Sequence, residues 1–251
     1  MLSKQLIKRV NALQTKKYRD REQAFVAEGP KLVGDLLSAG LRCLFIAHTS
    51  TVNLSLPQGT SLHIVSAEEL ERISRLKAPQ GVVAVFRKPD AGAPPPPHHP
   101  TLLLDAVQDP GNVGTIIRLA DWFGFRHVVL GSGCADPWGG KCLQASMGAI
   151  AHVQVYTDID AAAYTRAARL QGWPVQGCVL TGEDIYKAPL PPRGIVVVGN
   201  EGNGISQAVL EQLTHRITIP NFPEGSITTD SLNVAIATAI VCSEMRRRQR
   251  N

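Results

Sequence analysis

The sequence has no apolar run long enough to cross a bilayer. The stretch Met1 to Lys17 is polar, basic and amphipathic, unlike a secretory signal. The expectation is therefore a soluble, cytoplasmic protein with no membrane partner. Cysteine is sparse. Cys43, Cys134, Cys142, Cys178 and Cys242 are odd in number and scattered, with no Cys-x-x-Cys spacing, which argues for reduced thiols. No histidine pair completes a zinc set, and His98-His99 stands in a proline tract without partner ligands, so no metal is expected. No internal repeat is present.

What the chain does have is enough apolar sequence for packed cores. With 251 residues, 44% hydrophobic and 19% charged, it is long enough for two domains and too apolar for disorder. The net charge is +5, and it is unevenly spread. Up to Asp90 there are 14 Lys and Arg against 8 Asp and Glu; from Thr101 onward there are 12 against 13. Four of those later cations are Arg246, Arg247, Arg248 and Arg250. A positive field on the first part and the extreme C-terminus suits a polyanion such as RNA, and equally suits simple solubility.

The tract Ala91-Gly92-Ala93-Pro94-Pro95-Pro96-Pro97 cannot join a helix or a sheet interior, and reads as an extended, semi-stiff spacer. It divides the chain into residues 1–88, a linker 89–100 and residues 101–251. In the first part, Ser3 caps a helix with Leu6, Ile7, Val10 and Leu13 on one face. Lys16-Lys17-Tyr18-Arg19-Asp20-Arg21 follows, either a phosphate-touching segment with one stacking aromatic or a solvated turn. Strands are expected near Phe25–Gly29, Cys43–Ala47, Leu62–Val65 and Gly81–Phe86, with helices after Pro30 and Ser66. This small α/β/α unit has no clustered acid and base and no glycine-rich phosphate loop, so a binding role fits it.

From Thr101 strands and helices alternate, which means a mostly parallel sheet covered on both faces. Three stretches there invite chemistry. The first is Asp109-Pro110-Gly111-Asn112-Val113-Gly114-Thr115-Ile116-Ile117-Arg118, where a turn opens a helix with Asn112 as a good N-cap. Arg118 falls about two turns inside, near the face of Thr115. The second is the strand Val196-Val197-Val198 running into Gly199-Asn200-Glu201-Gly202-Asn203-Gly204, a carboxylate in a loop that lets a ligand approach the backbone. Its glycine spacing is wrong for a dinucleotide fingerprint. The third is Ile217-Thr218-Ile219-Pro220 and, after an irregular loop, Asp230-Ser231-Leu232-Asn233-Val234. Ser231 and Asn233 sit at the mouth of a final helix that is apolar or small on every face as far as Cys242, so a second subunit is the expected cover.

Together these stretches resemble the signature of the SpoU/TrmH-type RNA ribose 2′-O-methyltransferases of the SPOUT class. The matches are Asn112-x-Gly114-x-x-x-Arg118, Gly199-Asn200-Glu201-Gly202, and Ile219-Pro220 followed by Ser231-Leu232-Asn233-Val234. Ser146-Met147-Gly148-Ala149 resembles the family segment between them. The first part resembles the L30e-like substrate-binding domain often found ahead of this catalytic domain, especially at Glu28-Gly29-x-Lys31. The resemblance implies an α/β fold whose C-terminal SPOUT domain holds a trefoil knot, an exception to the un-knotted rule. It implies S-adenosyl-L-methionine held by backbone at Gly199, Ile219 and Leu232, an RNA substrate (ribosomal RNA, or less readily tRNA), and a homodimer with the active site at the subunit interface. One departure is the loop 221–229, which is longer than the family's, with Asp230 where the family often has Glu or Ser.

The implied roles follow. Arg118 grips the phosphate beside the target ribose and polarises its 2′-hydroxyl; a guanidinium is too weak an acid to serve readily as a general base. Asn112 and Asn233 orient the ribose, Ser231 bonds substrate or cofactor, and Glu201 fixes Arg118 or the ribose. Two other readings use the same motifs: a catalytically silent RNA-binding or ribosome-assembly protein, and an antibiotic self-resistance methyltransferase acting on ribosomal RNA.

Overall fold

The structure is a computed structural model and describes residues 2–50, 60–223 and 229–250. Two compact units emerge. One comprises residues 1–90 and 136–152, the other residues 91–135 and 153–251.

In the first unit, α1 (Lys4–Ala12) starts at Ser3, whose hydroxyl accepts from the Leu6 N–H. The Lys16–Arg21 stretch is a helix, α2 (Lys16–Glu22), rather than a turn. Its Arg19 is buried, Lys16 pairs with Asp20, and the Arg21 guanidinium lies 4.4 Å from the centre of the Tyr18 ring. Next come β1 (Ala24–Glu28), α3 (Pro30–Ser38), β2 (Cys43–His48), β3 (Ser61–Ile64), α4 (Ala67–Glu71) and β4 (Val82–Arg87). The strands form one mixed sheet in the order β1-β4-β2-β3. Pro30 opens α3 where its missing N–H costs nothing. Ser66 and Glu69 close a capping box on α4.

The same unit takes in residues 136–152, which sequence alone assigns to the second domain. The ring of Trp138 lies 4.9 Å from that of Phe25, and Arg19 forms a buried ion pair of 2.7 Å with Asp136. Arg19 also donates to the Leu13 carbonyl. A short helix, α6 (Gly140–Ser146), lies in this segment, and its Gln144 amide donates to the Glu28 carbonyl. A burial of this kind joins partners 117 and 116 residues apart, beyond the reach of local pattern.

The second unit carries β5 (Thr101–Leu104), α5 (Pro110–Trp122), β6 (His127–Gly131), β7 (Gln154–Ile159), α7 (Ala161–Leu170), β8 (Val175–Asp184), β9 (Ile195–Val198), α8 (Gln207–Leu210), β10 (His215–Thr218) and α9 (Val234–Gln249). Its strands pair in parallel throughout, in the order β10-β8-β9-β5-β6-β7. Strands β5 and β9 are buried at every position and, Thr101 apart, wholly apolar, as a sheet covered on both faces requires. Fully burying one such side chain stabilises by about 1.5–3 kcal/mol.

The proline tract is anchored to this unit rather than free. Tyr164 donates its hydroxyl to the Pro95 carbonyl, Gly194 N–H donates to the Pro97 carbonyl, and His98 packs edge-on against Trp173. Three of the C-terminal arginines also have partners within the protein. Arg246 donates to the carbonyls of Phe123 and Gly124 at the end of α5. Arg248 donates to those of Ala188 and Ile185, and Glu244 binds both Arg247 and Arg248. Among the described residues no helix is long and apolar enough to cross a membrane.

Candidate active site

Chain order reverses direction at β5. Its neighbours are β6, next along the chain, and β9, which follows far later. Ligands in open parallel sheets bind outside the carboxyl ends of strands at such a switch. The loops leaving β5 and β9 are tied together here. Asp105 accepts from the Ser206 N–H at 2.7 Å, and the Asn200 side chain donates to the Ala106 carbonyl at 2.8 Å. The other end of the Asn200 amide accepts from the N–H groups of Gly202 and Asn203, so one side chain shapes the whole 200–204 loop. Sequence reasoning gave Asn200 and Asp105 no role. Asn200 lay inside a quoted motif, whereas nothing local marked Asp105.

Helix α5 is capped by Asp109, not Asn112. The Asp109 carboxylate accepts from the Asn112 N–H at 3.0 Å, and Pro110 takes the first helical position. The Asn112 side chain is thereby released from capping and reaches outward. It donates through Nδ2 to Glu201 Oε1 at 2.8 Å, and its Oδ1 accepts from Asn233 Nδ2 at 3.0 Å. Asn233 is the N-cap of α9, which begins at Val234 rather than near Asp230; its Oδ1 accepts from the N–H groups of Ala235 and Ile236.

The polarity of this chain is forced from both ends. An ionised carboxylate only accepts and a helix N-terminus only donates, so both asparagine amides have one allowed orientation. Helices α5 and α9 run alongside in the same direction. Asn233 meets Asn112 at one end, and Arg246 reaches the last carbonyls of α5 at the other.

Arg118 stands on α5, exposed, with no hydrogen bond or ion pair to any described residue. Glu201 is bonded to Asn112 rather than to Arg118. Thr115, on the same face, gives its hydroxyl to the Gly111 carbonyl. Ser231 is exposed and joins neither network. Three of the expected residues, Asn112, Glu201 and Asn233, are therefore joined directly, while Arg118 and Ser231 are not bonded to them.

Gly199, Ile219 and Leu232 share one property: none has a backbone hydrogen bond to another described residue. Gly199 and Ile219 are half-buried, and Leu232 is 49% exposed. Backbone groups that no described residue bonds are open to a ligand or to water. Gly199 must be glycine, because a Cβ there would sit 2.2 Å from the Gly204 backbone carbon. Residues 224–228 of the loop 221–229 lie outside the described residues.

All five cysteines are free. Burial pushes the Cys134 thiol up to about 11 and Cys178 up to about 12, so neither is a reactive thiolate. Among the described residues no three His, Cys, Asp or Glu side chains gather as a metal set.

The switch point of this parallel sheet thus gathers a carboxylate and two oriented amides, and the helix that starts there carries an arginine without a partner among the described residues. The chain belongs to the SpoU rRNA Methylase family, which it matches over residues 99–243, and residues 4–84 match an MRM3-like substrate binding domain. It is 32% identical to the 23S rRNA (guanosine(2553)-2′-O)-methyltransferase RlmP of Bacillus subtilis, over 96% of each chain. A TrmH-family structure from Porphyromonas gingivalis is 47% identical, covers 99% of each chain, and superposes with a TM-score of 0.92. An AdoMet-bound rRNA methyltransferase from Sinorhizobium meliloti is 29% identical, with a TM-score of 0.85, covering 99% of this chain and 96% of that one.

Proposed function

We propose that this protein methylates a ribose 2′-hydroxyl in ribosomal RNA, using S-adenosyl-L-methionine. The observation that carries the reading is the bonded chain Glu201–Asn112–Asn233, whose middle member stands on the helix that also presents Arg118, without a partner among the described residues. A silent RNA-binding protein would have no need for this charge arrangement at the switch point of the sheet. The main-chain groups of Gly199, Ile219 and Leu232, which bond no other described residue, fit a donor gripped mainly by backbone.

When bound, S-adenosyl-L-methionine supplies a methyl group already activated on a sulfonium centre. The protein is left to orient the acceptor, assist loss of its proton and exclude water. Arg118 binds the phosphate beside the target ribose and stabilises negative charge growing on the 2′-oxygen. Asn112 and Asn233, locked in one orientation, and the second oxygen of Glu201 hold the ribose hydroxyls. Ser231 bonds the substrate from the mouth of α9. Residues 1–88 bind the RNA and residues 101–251 carry the chemistry, joined by residues 89–100.

The finer features of this reading are a trefoil knot in the C-terminal domain, a cytoplasmic location and a homodimer. Trp122 at the end of α5 is 83% exposed and Ile236 on α9 is 54% exposed, which supports a partner subunit over this helix pair.

The test is radiolabelled methyl transfer into ribosomal RNA, with the modified nucleotide mapped. Arg118→Ala is expected to lose at least a hundredfold in kcat/KM, and Arg118→Lys to recover part of it. Near-wild-type transfer by both variants, folded by circular dichroism, would remove Arg118 from the mechanism.

A further inference from the structure

Strands β5 and β9 are parallel neighbours, so the chain leaves both at the same end of the sheet. Asn112 lies beyond one exit and Glu201 beyond the other. Their 2.8 Å bond therefore depends on how far apart the two exit loops are held. The Asn200 side chain spans that gap. Its Nδ2 donates to the Ala106 carbonyl at 2.8 Å, while its Oδ1 accepts from the Gly202 N–H at 2.9 Å and the Asn203 N–H at 3.0 Å. Its backbone is closed on Gly204: the Asn200 N–H donates to the Gly204 carbonyl at 2.9 Å, and the Gly204 N–H donates back at 3.0 Å. Glu201 is thus carried between two tied residues. The far end of the loop is fastened as well, where buried Asp105 accepts from the Ser206 N–H.

The other side of the gap is unusual in its backbone. Ala106 stands in the left-handed region, at φ +56°, which a residue with a Cβ adopts only at a cost. Backbone held in this way clusters at functional sites. The turn around it is gripped on its second flank too: the Ala135 N–H donates to the Val107 carbonyl at 2.9 Å, and the Cys134 thiol donates to the Leu104 carbonyl at 3.2 Å. What accompanies the strained conformation is a carbonyl offered to Asn200.

Resting on the methyl-transfer reading above, we propose that Asn200 is a positioning residue for that reaction. By bridging to the Ala106 carbonyl it sets the Glu201 carboxylate against the Asn112 amide, and so against the ribose that the pair orients. Gly199, on the donor side, begins the same loop, so one clasp serves both reactants.

The experiment uses the full chain. Asn200→Asp keeps the side-chain size and the acceptor for the loop N–H groups, and turns only the donor toward Ala106 into a second acceptor. It is expected to lose about ten- to a hundredfold in kcat for methyl transfer, the scale of a small misplacement, with KM for RNA nearly unchanged. Glu201→Ala should lose a comparable factor. The double variant should fall no more than about threefold below the weaker single, because a carboxylate already out of place cannot be lost twice. A change that merely loosened the fold would multiply with Glu201→Ala instead, and losses that multiply overturn the proposal. Should Asn200→Asp not fold, Asn200→Ser, whose hydroxyl can serve the loop but cannot reach Ala106, is held to the same criteria. A second readout is the side-chain amide signal of Asn112 in a ¹H–¹⁵N spectrum, identified by its absence from Asn112→Asp. In Asn200→Asp it should move toward its position in Glu201→Ala; an unmoved signal overturns the proposal. If wild-type protein transfers no methyl group, the methyltransferase reading fails, and this signal alone decides whether Asn200 sets the Glu201–Asn112 bond.

Discussion

Replacing Asn112 by aspartate changes one atom of the side chain and reverses the sense of one hydrogen bond. The Nδ2 donor, 2.8 Å from Glu201 Oε1, becomes an acceptor facing an acceptor. At 2.8 Å two unit charges repel by about 1.5 kcal/mol in water and roughly four times that at an effective dielectric of 20. The pair is exposed, so the lower end applies, about 1.5–3 kcal/mol, or some 10- to 150-fold in rate if the arrangement must form in the transition state. The helix itself should tolerate the change, because a negative charge in its first turn is worth about 0.3–1 kcal/mol in its favour.

The expected result for Asn112→Asp is therefore a folded protein whose kcat/KM for methyl transfer falls at least tenfold at pH 8. The defect should narrow toward pH 5.5, since repulsion makes the introduced carboxyl harder to ionise. Adding Glu201→Gln exchanges donor and acceptor and re-forms the bond, recovering at least fivefold. Methyl transfer within twofold of wild type at every pH, or strictly additive losses in the double variant, would refute a coupled Glu201–Asn112–Asn233 chain.

Three further outcomes are expected. Arg19→Met alone should cost the first unit about 3–5 kcal/mol in urea unfolding, because it strands the buried Asp136; Arg19→Met with Asp136→Leu should recover most of that, and equal losses would deny the pairing. Hydrogen bonds from Arg247 and Arg248 hold the Glu244 carboxyl at about 2, below its ordinary 4.5, so its stabilising effect is complete above 4.5 and lost as pH falls through 2. The melting temperature of Glu244→Gln should thus lie below wild type at pH 7 and meet it near pH 2; a constant gap would contradict the ion pairs. Gly199→Ala should abolish S-adenosyl-L-methionine binding measured by calorimetry, because the added carbon would meet the Gly204 backbone, which cannot swing aside as a side chain can; retained affinity would show the loop to be more pliant than its geometry implies.

Much of the architecture was legible because it is written in local pattern. The apolar runs at Leu102–Leu104 and Ile195–Val198 announced buried parallel strands, and both strands lie where expected, give or take one residue. The motif residues Asn112, Glu201 and Asn233 could be named because their types and spacing are short-range features. Their roles were less legible. Asn112 looks like an N-cap until Asp109 takes that place, and only then is its amide free for Glu201.

Local sequence set the strands, the helix stops and the identity of the polar residues offered to the site, because each depends on residues within a turn or two of chain. Folding in three dimensions chose their partners. It drew Asp136 and Trp138 into the first unit, gave Arg246 and Arg248 backbone carbonyls to bind, and tied the proline tract to Tyr164. Such pairings depend on which surfaces meet after a hundred residues of intervening chain, and a charge or a ring carries no mark of its partner until burial makes an unpaired one costly.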